Sequence, residues 1–460
     1  MSNQYSKKES SYINEIFAAM HNKTLVPFML YDYQHIPWKT LAENDIAIKR
    51  FSSKGDFNNV SPGENAGVFD EFTGYRSSGG LSKDEKGDQF IDLIDKTLNN
   101  NSVFLPYTSI KKLHKVNAGL NFINDESLIH LSASKAEFSE LISDSIKQLD
   151  WIPLNTATFD LLSQFAETPH GAVLRPDNGQ GGRRIFLLRN DAEIQDAMHY
   201  IMTEDIENQN SYYFSAYIPS HPISASACVF ADGSIKVYPA CYQLIGNEQC
   251  GNSPFKYCGG DFSAAKFLSH NTLLEIENAV VSTGQKLHEL GFLGVFGVDF
   301  ILDYYEQLFY IETNLRFVSP NYLVEEFSHS NGICDPFLDH LAAFLEIKPG
   351  ELPSLNDWKS IQCGSQVLLY NKTDNPMVRI LESPDLKPES ITHPLLGLTD
   401  HETPIAPSAL LSTIRTYDAA SLEGRLLPNI ENAINKIVDT FEVKETGFDG
   451  NKSYTAQHYS

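Results

Sequence analysis

Two short stretches constrain this chain most: Gly297-Val298-Asp299-Phe300, and Tyr310-Ile311-Glu312-Thr313-Asn314-Leu315-Arg316. Val298, Phe300 and Leu302 alternate with Asp299 and Ile301, and Phe309, Ile311 and Thr313 alternate with Tyr310, Glu312, Asn314 and Arg316. A period of two is that of a half-buried strand, so the pair is predicted to form a β-hairpin. Pairing Asp303 with Leu308 leaves Tyr304 to Gln307 as the loop and puts Asp299 opposite Glu312. Directly opposed residues share a face with Cβ atoms roughly 5 Å apart. Asp299, Glu312, Asn314 and Arg316 are therefore expected on one face. Two carboxylates and an amide held that close repel each other unless a cation sits between them. Hard oxygen donors suit Mg²⁺, which is usually held by one or two carboxylates together with substrate phosphates. Arg316 would meet a phosphate as a fork of donors. The alternative is an exposed hairpin whose polar face is solvated, which is common in antiparallel sheets.

The rest of the composition sets bounds. A chain of 460 residues has room for two to four domains and a sizeable core. Its formal net charge of -24 argues against nucleic acid or an anionic membrane as partners held by bulk attraction. The first residues, Met1 to Glu9, are followed by no apolar run of signal-peptide type, and no stretch approaches the ~20 apolar residues of a membrane span. A cytoplasmic protein is the expectation. Cysteines stand at 228, 241, 250, 258, 334 and 363 with no CxxC pair, so reduced structural thiols are expected rather than a zinc site.

Along the chain, residues 13 to about 50 read as α/β, with a buried strand at Leu25 to Tyr31. Residues 52 to 88, rich in Ser, Gly, Asn and Asp, read as a long loop or insertion. A helical pattern starts at Phe90 and a strand follows at Val103 to Leu105. Ser134 to Ile142 looks helical. Strands are expected at Ala172 to Arg175 and Ile185 to Leu188, with Asp191 as the N-cap of the next helix. Tyr212 to Ile218 is apolar and aromatic. Ala225 to Phe230 and Ile235 to Tyr238 read as strands joined at Asp232-Gly233. Residues 272 to 290 carry an amphipathic stripe closed by Gly291. Beyond about 346 the chain is Pro-rich and less periodic, with one more helix near Ile430 to Phe441. Thr446 to Ser460 is expected to be a disordered tail.

Between two of these strands lies Arg175-Pro176-Asp177-Asn178-Gly179-Gln180-Gly181-Gly182-Arg183-Arg184. Such a turn lets backbone N–H groups approach phosphate oxygens. It lacks the Gly-Lys-Ser/Thr ending of a Walker loop and the G-x-G-x-x-G order of a dinucleotide fingerprint. No His-Arg-Asp or Asp-Phe-Gly sequence supports a protein kinase. A plain β-turn is the competing reading. Three arginines at 175, 183 and 184 surround the turn in an acidic chain, where a polyphosphate would want them.

Taken in order, these pieces resemble the ATP-grasp superfamily over about 125 to 345. Lys135 matches the lysine that opens the family's segment. Arg175-Pro176 and Gly179 to Gly182 match the strand ending in Lys-Pro and the mobile glycine-rich loop over the ATP phosphates, with arginine in place of lysine. Arg184 stands where the family closes the loop with glycine. Ala216-Tyr217-Ile218 falls at the adenine-binding connector, without the family's usual acidic residue. Asp299 matches the Gly-x-Asp-Phe strand, and Glu312, Asn314 and Arg316 match the Glu-x-Asn-x-Arg strand without a gap. The resemblance implies an α+β and α/β architecture with the ATP-grasp fold: an N-terminal pre-ATP-grasp α/β domain (1–124), a nucleotide-binding and catalytic domain (125–345), and a C-terminal α+β region (346–445) before the tail (446–460). That last region is similar both to the lid region of carboxylase-like members and to the extra domain of peptide-ligase and carrier-protein-loading members.

The resemblance also implies an activity: an ATP-dependent ligase joining a carboxylate to an amine through an acyl phosphate, with release of ADP. ATP and Mg²⁺, or Mn²⁺ in its place, are the implied cofactors. Asp299, Glu312 and Asn314 would hold the metal. Lys135, Arg175, Gly179, Gly181 and Gly182 would hold phosphates, and Ala216, Tyr217 and Ile218 the adenine. Arg316 would steady the transferring phosphoryl group or the oxyanion. The partners implied are small-molecule carboxylates and amines, with an acyl carrier protein and a homodimer as further candidates, and neither nucleic acid nor membrane. A carboxylase-type acyl-phosphate enzyme and a non-catalytic nucleotide-binding module are the alternatives. No Met-Lys-Met biotin-carrier sequence accompanies the first of these. Lys256 and Tyr257, in the polar stretch Gly246 to Gly260, are weighed as carboxylate ligands against a merely solvated loop.

Overall fold

The computed structural model describes residues 6–29, 46–49, 64–68, 76, 85–107, 111–156, 159–179, 181–205, 211–359, 361, 364–381, 391–396, 403–422 and 424–444. Most of the expected 52 to 88 loop and all of the expected 446–460 tail lie outside these residues.

Three sheets organise the chain. The first is parallel, in the order Glu64–Val68, Ile46–Lys49, Thr24–Met29, Ser102–Pro106, Leu120–Asn121. Its two central strands carry the near-continuous apolar runs expected of strands covered on both faces. Val26, Phe28 and Phe104 pack with Phe90, Ile91 and Ile94 of helix Glu85–Thr97. The second sheet has four short strands, ordered Ile152–Pro153, Tyr212–Ala216, Ala172–Pro176, Phe186–Leu188. It has a separate core in which Leu174, Leu188 and Phe214 meet Ile194, Ala197 and Ile201 of helix Asp191–Thr203.

The third sheet is antiparallel and largest: Leu308–Asn314, Gly294–Asp303, Ser220–Val229, Cys241–Ile245, Tyr257–Asp261, Ser365–Tyr370, Leu410–Thr416, Ile391–Leu396, with Ile235–Val237 paired to Ser220–Val229. Helix His270–Glu289 buries Leu273, Ile276, Val280 and Leu287 against it. That helix is capped at its start by Ser269, whose side chain accepts from Thr272 N–H, and is followed by Gly291 at φ +84°, the left-handed conformation that ends many helices. The chain beyond 346, which shows little periodicity, supplies three strands of this same sheet, so it extends the surface that carries the hairpin.

Behind the sheet lies a buried ionic cluster. Lys236 Nζ meets Asp339 at 2.9 Å and Glu9 at 4.0 Å, and donates to the Cys334 carbonyl at 3.0 Å. Tyr12 and Tyr238 each donate to Asp339 at 2.7 Å. Helix Lys7–Met20 is tied by these bonds to helix Pro336–Phe344. The described cysteines are all buried and free. No described helix is long and apolar enough to cross a membrane.

Two local expectations are corrected. The N-cap expected at Asp191 is Asn190, whose side chain accepts from Glu193 N–H, and Asp191 begins the helix. The helix expected at 430 to 441 runs Pro428–Val438, and Phe441–Val443 is a strand paired with Met377–Arg379.

Candidate nucleotide and metal site

The hairpin forms, with a register the alternation alone misjudges. Leu302 pairs with Leu308, and Asp303 N–H donates to Gln307 C=O, so the turn is one residue tighter than expected. A β-bulge then places Ile311 as an extra residue: Phe300 pairs with Tyr310, but Asp299 pairs with Glu312 and Gly297 with Asn314. The bulge restores the expected apposition of the two carboxylates and moves Tyr310 to the partner of Phe300, where it is fully buried. Bulges of this kind re-aim side chains.

Asp299, Glu312, Asn314 and Arg316 form one bonded group. Asn314 Nδ2 lies 3.3 Å from Asp299 Oδ2 and 3.5 Å from Glu312 Oε1, so the amide hydrogens occupy the space between the carboxylates. Arg316 donates to Asn314 Oδ1 at 2.9 Å and to the Phe317 carbonyl at 3.1 Å. Gln243 Nε2 donates to Asp299 Oδ1 at 2.9 Å. Burial, with Glu312 beside it, pushes the Asp299 carboxyl up to about 7. Burial also opposes charge on Glu312, but Lys135, Arg175 and Arg316 outweigh it and hold that pKa below its ordinary value. Local sequence does not mark Gln243 or Ser224: Ser224 pairs with Asp299 on the adjacent strand, and Gln243 reaches it from the strand beyond.

The four-stranded sheet closes on this group from the other side. Lys135, at the start of helix Lys135–Leu141, places Nζ 3.3 Å from Glu312 Oε2, and donates to the carbonyls of Asp177 at 3.2 Å and Gly179 at 2.9 Å. Asp177 Oδ1 accepts from Ala136 N–H of the same helix, whose N-cap is Ser134, at 2.9 Å. Arg175 donates to the Ile311 carbonyl at 3.3 Å, and its guanidinium stacks 3.6 Å over the Trp151 ring. Burial lowers its pKa to about 10, with Glu312 opposing, so it stays charged.

The glycine-rich turn is fastened at both ends. Gly181 and Gly182 adopt φ +63° and +76°. A Cβ on Gly182 would run into the Phe255 carbonyl, so only glycine lets the turn lie against the 246–256 segment. Arg184, itself at φ +59°, makes a two-pronged bond to Asp205 at 3.0 Å and donates to Asn178 C=O at 2.8 Å. Tyr212 donates to Asp205 at 2.6 Å.

The remaining candidates lie elsewhere. Ala216 ends its strand opposite Ala172, and Tyr217 N–H is bonded to the Gly171 carbonyl at 2.9 Å; Ile218 follows, half-buried. Lys256 is turned into the protein, with Nζ 3.8 Å over the Tyr370 ring and 3.4 Å from Ser408 C=O. Burial, with Arg183 nearby, lowers its pKa to about 8.

No group of three or more His, Cys, Asp or Glu suited to a metal occurs among the described residues. Two carboxylates and an amide nonetheless fit a Mg²⁺ ion whose shell is completed by phosphate and water oxygens. The raised Asp299 pKa comes first from burial and then from Glu312, and a cation between the two carboxylates would relieve the second of these.

This geometry agrees with what comparison finds. Residues 142–320 match the family model described as ATP-grasp domain. Among solved structures, biotin carboxylase from Campylobacter jejuni is similar at a TM-score of 0.59 and 13% identity, over 87% of this chain and 88% of that one. L-amino acid ligase from Bacillus licheniformis is similar at 0.56 and 14%, over 92% and 98%. A carboxyaminoimidazole ribonucleotide synthetase from Thermus thermophilus is similar at 0.56 and 13%, over 92% and 100%. No curated protein matches by sequence. Residues 142–320 thus carry an ATP-grasp domain, and the chain has the ATP-grasp fold.

Proposed function

We propose that the protein is an ATP-dependent ligase that activates a carboxylate as an acyl phosphate and transfers the acyl group to an amine, releasing ADP and phosphate. The observation that carries this reading is the convergence of Lys135, Arg175, Asp299, Glu312, Asn314 and Arg316 at one point between two sheets. A carboxylate is a poor electrophile, and phosphorylation gives it a good leaving group. In this reading Asp299, Glu312 and Asn314 hold Mg²⁺, with the Asn314 amide turned to present its oxygen, and the bound metal neutralises charge on the terminal phosphates. Lys135 and Arg175 hold phosphate oxygens, helped by the backbone of Gly179, Gly181 and Gly182, while Ala216, Tyr217 and Ile218 border the base. Arg316, released from Asn314 Oδ1, stabilises the transferring phosphoryl group or the oxyanion. The glycine turn excludes water from the acyl phosphate. Residues 1–124, 125–345 and 346–445 act as the pre-grasp, nucleotide-binding and C-terminal units. The chain's similarity to a biotin carboxylase also favours a second reading, in which bicarbonate is the carboxylate that is activated.

The test is ADP release by the purified protein with ATP, Mg²⁺ and pooled amino acids, then with bicarbonate. Amine-dependent ADP release supports the ligase, and release dependent on bicarbonate alone supports the second reading. Nucleotide binding without ADP formation under any pool refutes both in favour of a binding module.

A further inference from the structure

We propose that Arg175 and Trp151 form a strut that fixes the bulged, metal-facing hairpin strand from the side of the four-stranded sheet, so that Arg175 is a positioning residue for Glu312 as well as a neighbour of the nucleotide. Strand Leu308–Asn314 is the edge of the nine-stranded sheet. Edge strands expose unpaired backbone groups, and a bulge leaves one residue outside the ladder. Both outward groups at this bulge are taken up by the opposing side: Tyr310 N–H donates to the Lys147 carbonyl at 3.0 Å, and Ile311 C=O accepts from Arg175 at 3.3 Å. Glu312 is the next residue, and its apposition to Asp299 exists only because Ile311 is the extra one.

The strut explains why arginine stands here. A planar guanidinium can lay one face on an aromatic ring while its edge donates to a carbonyl; an ammonium is a point charge without that fork. Trp151 supplies the ring at 3.6 Å, and Arg175 is 7% exposed. The indole Nε1–H is buried with no hydrogen-bond acceptor, so the side chain is held there for its face and not for its donor. Trp151 also belongs to the segment that leads directly into strand Ile152–Pro153, so the strut joins the four-stranded sheet to the nine-stranded one.

The experiment uses the full chain and the variants Trp151→Ala, Trp151→Phe and Arg175→Lys. Hydrogen exchange in the ligand-free protein is read at the amides of Tyr310 to Thr313. The strut predicts exchange about tenfold faster in Trp151→Ala and Arg175→Lys, equivalent to about 1.4 kcal/mol of local opening, with Trp151→Phe near wild type because a ring remains. Unchanged protection in both Trp151→Ala and Arg175→Lys overturns the proposal, and global unfolding of Trp151→Ala leaves Arg175→Lys as the deciding variant. A second readout rests on the proposed function: Mn²⁺ affinity in the presence of ADP, against ADP affinity without metal. The strut predicts that Trp151→Ala weakens Mn²⁺ about tenfold and leaves metal-free ADP binding within about twofold. The reverse pattern assigns Arg175 to phosphate alone. If no nucleotide binds to wild type, the functional reading fails while the exchange result still decides the strut.

Discussion

Replacing Asp299 by Asn should raise the stability of the metal-free protein at alkaline pH and lower it at acid pH. Asp299 is displaced from its ordinary 3.8 to about 7, first by burial and then by Glu312. A carboxyl whose pKa is higher folded than unfolded binds more protons in the native state, so stability is lost as pH rises from about 4 through about 7. At 1.36 kcal/mol per pH unit the full displacement is worth about 4 kcal/mol, an upper bound because Glu312 titrates with Asp299 and some exposure screens the pair. The amide removes that penalty. It also puts an N–H against one of two donors, Gln243 Nε2 and Asn314 Nδ2, at a cost of about 1–2 kcal/mol. At pH 8 the variant should therefore gain about 1–3 kcal/mol, and at pH 4 lose about 1 kcal/mol. Urea unfolding in EDTA at the two pH values measures both. A variant less stable than wild type by the same amount at pH 4 and pH 8 would refute the charge argument. Saturating Mg²⁺ should shrink the alkaline gain, since a cation relieves the same repulsion.

Three further outcomes follow from named contacts. Asp299→Asn and Glu312→Gln should each lower ATP turnover by at least about a hundredfold, read as ADP release, because each removes a charge that the phosphates' counter-ion needs. Lys236→Met should destabilise the fold by about 3–5 kcal/mol in chemical denaturation, since Asp339 and Glu9 would stay buried without their cation. Gly182→Ala should displace the glycine turn from the Phe255 carbonyl, raising the KM for ATP about tenfold while changing global stability by about 1 kcal/mol, because φ +76° disfavours a Cβ.

The hairpin was legible because its two strands are contiguous and carry their chemistry at a period of two. Its face was read correctly although its turn was not: the alternation missed the tighter turn at Tyr304 and the bulge at Ile311, and the two displacements cancel at Glu312. A bulge depends on what meets the strand's outer edge, here Arg175 and Lys147, and that is tertiary information. The same reason hides Ser224, which pairs with Asp299, and Gln243, whose side chain reaches it across that strand. Helix His270–Glu289 and the Asp232-Gly233 hairpin were legible from local rules. The C-terminal strands were not, because buried antiparallel strands such as Leu410–Thr416 carry polar Ser412, Thr413, Arg415 and Thr416 inside the protein, which erases the alternation.

The departures from the family pattern at Arg175 and Arg184 share one physical consequence. Here Arg184 ties the turn to Asp205 and to Asn178, Lys135 ties it to the Asp177 and Gly179 carbonyls, and Arg175 ties the strand before it to Ile311. Every one of these cations already holds an oxygen in the ligand-free protein. An incoming polyphosphate must therefore exchange oxygens with them, and the gain per contact is the difference between phosphate and carbonyl or carboxylate. Lys135 is the decisive case, because it bonds Glu312 and the glycine turn together. A cation taking the Glu312 charge frees Lys135 for phosphate, so metal and nucleotide should bind with positive coupling, each raising the other's affinity by the same factor.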